Sequence, residues 1–187
     1  MPGVTKSGGV IGYRGLVTSE GAVITAAVTE PSDRHLNRIN NQVWSLPIAA
    51  IDPVGAGDNF FYLKNTGIET LGLTDFRFES TVAGTITMFG ATGTPINASL
   101  VTVVPVSRVI GGTGAPIATI YTDTDLTGVT STGTLFYQTL DTVNTQYRLS
   151  TSSNIIVPPG QQFVMQWSAA TGILKGVVSL VQLIKGQ

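Results

Sequence analysis

The sequence predicts an all-β fold: an antiparallel β-sandwich of about eight strands, jelly-roll-like in topology, behind an extended N-terminal arm. Three observations predict it. Short runs rich in β-branched and aromatic residues follow one another between residues 59 and 185, many of them alternating with a period of two. Clusters of Gly, Pro, Asn and Asp separate the runs at intervals of roughly ten residues, the rhythm of sandwich turns. No helical repeat runs through this region. Residues 1–50 are expected to form the arm with its edge strands, and residues 51–187 the sandwich.

Residues 1–20 are glycine-rich and aperiodic, an arm that needs a partner to hold it. Residues 21–29, with Val23 and Ile24, read as a strand suited to joining a neighbour's sheet edge. Glu30-Pro31-Ser32-Asp33 ends it. Leu36, Ile39 and Val43 have helical spacing behind a Ser32 cap, enough for one turn. Residues 41–51 are extended, and Pro47, which lacks a ladder donor, confines them to an edge. Tryptophan is enriched at interface anchors, and Trp44 stands outside the regular β region. Trp44 and Leu46, together with Val23 and Ile24, are therefore the candidate contact residues.

From Asn59 the pattern is regular. Residues 60–64 form a strand that ends at the turn Asn65-Thr66-Gly67. In residues 71–78, alternation sets Leu71, Leu73, Asp75 and Arg77 against Gly72, Thr74, Phe76 and Phe78. Residues 84–89, 100–106, 117–121 and 134–140 are further strands. Tyr147-Arg148-Leu149 leads to Ile155-Ile156-Val157, which stops at Pro158-Pro159-Gly160, where proline fixes φ and glycine allows reversal. Phe163, Met165 and Trp167 then oppose Gln162, Val164 and Gln166. After Ala169-Ala170-Thr171-Gly172, the last strand sets Val177, Ser179, Val181 and Leu183 against Val178, Leu180, Gln182 and Ile184. Phe60, Tyr62, Phe76, Phe78, Phe136, Phe163 and Trp167 all fall inside strands and are expected in the core.

Composition narrows the function. The chain has no cysteine and one histidine, His35, which excludes a disulfide framework, a thiolate nucleophile and a multi-histidine metal centre. No metal or cofactor is expected. A net charge of -1 gives nothing that would draw the chain to nucleic acid or an anionic membrane. Charged residues make up 11% of the chain, against about 25% in an ordinary soluble domain. So weakly charged a surface stays dispersed poorly and is expected to be covered by neighbours in an assembly. No apolar run approaches the roughly 20 residues of a membrane helix. No apolar stretch follows Met1-Pro2-Gly3, so no signal peptide is expected.

The sharpest motif is Asp52-Pro53-Val54-Gly55-Ala56-Gly57-Asp58-Asn59-Phe60, which resembles the signature of ribokinase-like sugar kinases. There the glycines open a helix over phosphate and the last Asp, here Asp58, activates a sugar hydroxyl. The context opposes that reading, because strand and turn follow Asp58 and no βαβ rhythm precedes it. Gly111-Gly112-Thr113-Gly114 lacks the Gly-Lys-Ser/Thr ending of a phosphate loop and reads as a surface loop. Asp123 and Asp125 have calcium-loop spacing, but the EF-hand glycine and glutamate are missing, so turn formation explains them. No site residue is catalytic, cofactor-binding or metal-binding on this reading.

Three phrases carry a resemblance: Asn59-Phe60-Phe61-Tyr62-Leu63-Lys64-Asn65-Thr66-Gly67, Gly133-Thr134-Leu135-Phe136-Tyr137, and Ser152-Ser153-Asn154-Ile155-Ile156-Val157-Pro158-Pro159-Gly160-Gln161. Together they resemble a group of tailed-bacteriophage virion proteins, over the chain from Asp58 onward. The resemblance implies a non-enzymatic, jelly-roll-like structural subunit of the particle, a head decoration (cement) protein. It also implies a homotrimer made in the host cytoplasm and bound on the capsid surface over junctions of the major capsid protein. The alternative is a receptor-binding or fibre-associated module of the virion, using loops such as residues 111–116 to touch host glycan.

Overall fold

The computed structural model describes residues 12–17, 23–28 and 42–183. The expected helical turn behind Ser32, His35 and much of the arm lie outside the described residues. Thirteen strands are present: β1 Gly12–Val17, β2 Val23–Val28, β3 Val43–Ile51, β4 Asp58–Asn65, β5 Thr70–Ser80, β6 Gly84–Gly93, β7 Val101–Thr102, β8 Val106–Ser107, β9 Ala118–Thr122, β10 Val129–Leu140, β11 Tyr147–Val157, β12 Gln162–Trp167 and β13 Leu174–Leu183. No helix interrupts the described residues.

Eleven of the strands form two antiparallel sheets packed against each other. One runs β10-β6-β12-β4-β9-β7 and the other β11-β5-β13-β3-β8. The topology is a long hairpin rolled up. β3 pairs with β13, β4 with β12, β5 with β11 and β6 with β10. β3 to β6 and β10 to β13 alternate between the sheets, and β13 and β12 close the roll against β5 and β6. That is the jelly roll the turn spacing predicted. The tip of the long hairpin is the segment between β6 and β10, which carries β7, β8 and β9.

Two expectations about the start of the chain change. β3 is a full member of the five-stranded sheet, paired with β13 along most of its length, so the sandwich begins at Val43 and not at residue 51. Pro47 does sit near an edge: beyond β3 the sheet continues only through β8, which pairs at Trp44 and Ser45. β1, inside the stretch read as aperiodic, pairs with β2 in a local hairpin.

Most large apolar side chains meet between the sheets. Phe60 and Phe78 pack edge to face at 6.2 Å, and Phe61 and Phe163 at 6.3 Å, geometries that favour the ring quadrupoles. Phe163, Met165 and Trp167 enter this core together, as the alternation in β12 predicted. A second cluster lies on the outer face of the six-stranded sheet. There Leu126 and the partly buried Leu100 and Tyr121 cover Tyr62, Ala91 and Val164. Tyr62 stacks on Tyr121, and burial, then Tyr121, raises the Tyr62 hydroxyl pKa above its usual value.

β-bulges decide which residues enter the core. In β5, strict alternation would put Leu71, Leu73, Asp75 and Arg77 on one face. Instead β13 pairs Ser179 with Asp75 and Leu180 with Leu73, so Thr74 is an extra residue in β5. One added residue turns the rest of a strand over. Leu71, Leu73, Phe76 and Phe78 are therefore all buried, while Asp75 and Arg77 face outward. The same device in β4 leaves Phe60 opposite no residue of β12, and Phe60 and Phe61 both enter the main core.

Candidate interaction surface

Trp44 and Leu46 are not contact residues. They are 2% and 0% exposed and belong to the main core. A side chain already removed from water has no area left for a partner. The Trp44 indole N–H donates to the Gly114 carbonyl at 2.7 Å and so ties down the loop that follows β8. Val23 and Ile24 pair with Val17 and Leu16 of the chain's own β1, and their side chains lie outside the described residues.

The kinase-like motif folds as a turn. The Gly55 N–H donates to the Asp58 carboxylate and the Asp58 N–H to the Gly55 carbonyl. Gly57 has φ +88°, a left-handed conformation that glycine adopts without strain, and its N–H donates to the Trp167 carbonyl at 2.8 Å. A strand begins at Asp58, so no row of free helix N–H groups is aimed at a phosphate. In the calcium-like stretch, the Asp123 carboxylate accepts from the Ser99 hydroxyl at 2.8 Å and from the Thr124 N–H at 2.7 Å. Asp125 has its pKa raised by burial first, then by Asp58 and Asp123. Among the described residues no group of three or more His, Cys, Asp or Glu side chains is placed to hold a metal ion.

A cleft lined by Asn65, Gly67, Ile68, Glu69, Leu71, Ile117 and Gln182 offers about 30 Å³, far below the roughly 300 Å³ at which ligand pockets begin. Its polar centre, Asn65, is structural. The side-chain Nδ2 donates to the Glu69 and Val157 carbonyls at 2.8 Å each, and Oδ1 accepts from the Gly67 N–H at 3.1 Å. The Asn65 main chain also binds Gly160 and Gln161. Two of the phrases behind the phage resemblance, Asn65-Thr66-Gly67 and Val157-Pro158-Pro159-Gly160-Gln161, thus meet at one buried amide.

Exposed large apolar side chains lie on the edges of the sandwich and in connecting loops, where Val54, Ile68 and Ile96 face solvent. β10 ends the six-stranded sheet, and nearly all of it is exposed on both faces. Phe136, expected in the core, is 41% exposed, between Leu135 at 53% and Tyr137 at 67%. β10 has no strand beyond it in the sheet, and two bulges interrupt its pairing with β6. The β6 register steps from Ser131 to Gly133 and from Thr134 to Phe136, leaving Thr132 and Leu135 as extra residues. The Phe136 and Tyr137 rings lie 6.4 Å apart, a proximity that regular alternation of neighbours would not give.

The opposite edges carry the second set. Residues 100–106, expected as one strand, divide at Val103-Val104-Pro105, with β7 in one sheet and β8 in the other. Val103 plugs the core, and Val101, Val104, Val106 and Ile110 point to solvent. A β-branched run is as well suited to crossing between sheets as to a single ladder, so the sequence carried no signal for the division. Comparison with protein-family models, with curated proteins and with solved structures finds no match to this chain.

Proposed function

We propose that the chain is a non-enzymatic structural protein of a tailed-bacteriophage virion, a capsid decoration (cement) protein that binds as a homotrimer over junctions of the major capsid protein. The observation that carries the assembly part is the exposed apolar surface at the sandwich edges, Leu135, Phe136 and Tyr137 on one side and Val101, Val104 and Ile110 on the other. Monomeric proteins rarely leave large contiguous apolar surface open to water, whereas a lattice subunit has it covered. The phage identity is supported by the sequence resemblance, whose phrases fall on β4, β10, β11 and the turns joined at Asn65. The receptor-binding alternative gains no support from residues 111–116, which hold no aromatic or carboxylate side chain.

The test is electron cryomicroscopy of virions assembled with and without the chain. Density of sandwich shape over capsid-subunit junctions, absent when the chain is absent, is expected. Density on the tail or fibre alone, or none on the particle, overturns the reading. Deleting residues 1–41, which leaves β3 intact, is expected to lower capsid occupancy while the sandwich stays folded.

A further inference from the structure

We infer that Arg77 and Arg148, on the outer face of the five-stranded sheet, form a binding site for a phosphate group. The site is independent of the virion reading and lies on a different surface from the apolar edges. A net charge near zero conceals an uneven spread of charge over the sandwich. Within residues 42–183, four of the five Lys and Arg residues belong to this one face, against two of the eight Asp and Glu. The cations are Arg77, Arg148, Lys175 and Arg108, whose guanidinium reaches the Ser45 and Ser179 hydroxyls. The acids are Asp75 and Glu79. Such a face draws small anions towards it, while the rest of the sandwich, one lysine among six acids, repels an extended polyanion.

Local geometry names the ligand. Arg77 and Arg148 stand directly opposite each other on β5 and β11, a placement that like charges disfavour unless something holds them. Asp75 holds both. Its Oδ2 lies 3.1 and 3.0 Å from Nε and Nη2 of Arg77, and its Oδ1 accepts from the Arg148 Nε at 2.9 Å. With both oxygens engaged, Asp75 is only 13% exposed, whereas the two arginines stay open to solvent. Each guanidinium carries a fork of N–H donors, and those that Asp75 does not take have no acceptor among the described residues. One carboxylate thus fixes two forks side by side with their remaining donors turned outward. A single fork already saturates the two oxygens of a carboxylate ligand. Two adjacent forks call for more acceptors, which the oxygens of a phosphate group supply.

The test titrates the full chain with inorganic phosphate and with phenyl phosphate, at constant ionic strength held with chloride, while NMR follows the arginine Nε–H signals. Saturable shifts of the Arg77 and Arg148 signals at millimolar ligand are expected, the weak affinity that solvent-exposed charges permit. Arg148→Gln should weaken binding roughly 10-fold, the loss of one set of charge-assisted bonds. Arg77→Gln repeats the test, and thermal melts confirm that each variant is folded. Arg148→Lys keeps the charge but not the fork and should lose most of the same affinity. Lys175→Gln removes an equal charge from the same face, but one paired with Glu79, and should bind within about twofold of the parent. Phenyl phosphate bound as well as inorganic phosphate assigns the site to a phosphoryl group on a larger molecule, and inorganic phosphate bound alone assigns it to the free ion. Shifts that never saturate with either ligand overturn the site. So does an Arg148→Lys chain that binds like the parent, because the general field of the face then suffices. None of these results depends on whether the chain is found on a virion.

Discussion

Truncating Asn65 is a direct test of how the two halves of the rolled hairpin are joined. The side chain is fully buried and makes three hydrogen bonds, to Val157 on β11, to Glu69 ahead of β5 and to Gly67 in the turn. Asn65→Ala strands two carbonyls and one N–H. A buried polar group left unpaired costs about 1–3 kcal/mol, and water can reach groups beside an open cleft and soften that cost. The Val157 bond is buried, and the other two are part-buried beside the small cleft. The expected loss is therefore about 3 kcal/mol, or roughly 6–12 °C in Tm for a chain of this size. Asn65→Asp keeps the shape but points a carboxylate oxygen at two carbonyls, so it should cost more than alanine at neutral pH. Urea unfolding of the three proteins measures both differences. An alanine variant within about 1 kcal/mol of the parent, or an aspartate variant no worse than alanine, would refute the assignment of stability to these bonds.

Three further outcomes follow from local geometry. A methyl group on Gly84 would lie 2.6 and 2.7 Å from Cη2 and Cζ2 of Trp167, a ring with no room to retreat. Gly84→Ala should thus cost about 2–3 kcal/mol by overpacking, while Gly133→Ala, with nothing within 4 Å, should leave the melting curve unchanged. Asp75 binds Arg77 at 3.0 Å and Arg148 at 2.9 Å, but these arginines are 41% and 59% exposed. Asp75→Asn should accordingly cost less than about 1 kcal/mol, and the difference should shrink in high salt. Because the folded chain raises the Asp125 pKa through burial, Asp58 and Asp123, the native state holds that proton more tightly than the unfolded chain. The ionised carboxylate opposes folding above the raised value, and that penalty is relieved as pH falls through it towards the unfolded value. Asp125→Asn should therefore stabilise the protein at neutral pH, with its advantage over the parent shrinking as pH falls through the raised value in melts taken across pH; an advantage that does not change with pH would contradict it.

The strands and the turns between them were legible because period-two alternation and the Pro158-Pro159-Gly160 and Asn65-Thr66-Gly67 breaks are local properties of the chain. Which strand faces what is not local. Trp44 and Phe136 both sit among extended residues, and the sequence placed each on the wrong side: Trp44 is core and Phe136 is surface. The difference lies in their neighbours. β3 lies beside β13 over the filled space between the sheets, whereas β10 ends a sheet and its register is broken by two bulges. A bulge is one extra residue in a strand's register, and Thr132, Leu135 and Thr74 carry no mark that separates them from other strand residues. The exposed apolar stretch of β10 was missed for the same reason. It consists of ordinary strand residues made available by their position at the end of a sheet.

The few charges the chain keeps are sorted, and the sorting bears on how it would sit in an assembly. On the outer face of the five-stranded sheet, Asp75 pairs with Arg77 and Arg148, and Lys175 with Glu79 at 3.1 Å. The outer face of the six-stranded sheet is covered over Tyr62, Ala91 and Val164 by the chain's own Leu100, Tyr121 and Leu126. Of the edge strands, β7, β8 and β10 carry no charged residue, β11 carries Arg148, and Arg108 directly follows β8. Uniform thinning of charge would leave every side equally unfit for water. Here one face keeps its ion pairs, the other is covered in part by its own loops, and exposed apolar side chains stand on the sides, at Leu135, Phe136, Tyr137, Val101 and Val104, and in connecting loops, at Val54, Ile68 and Ile96. Partners arranged side by side would bury those edges and leave the charged face wet. Stacking on the five-stranded face would instead desolvate the charges and leave the edges exposed, losing on both terms.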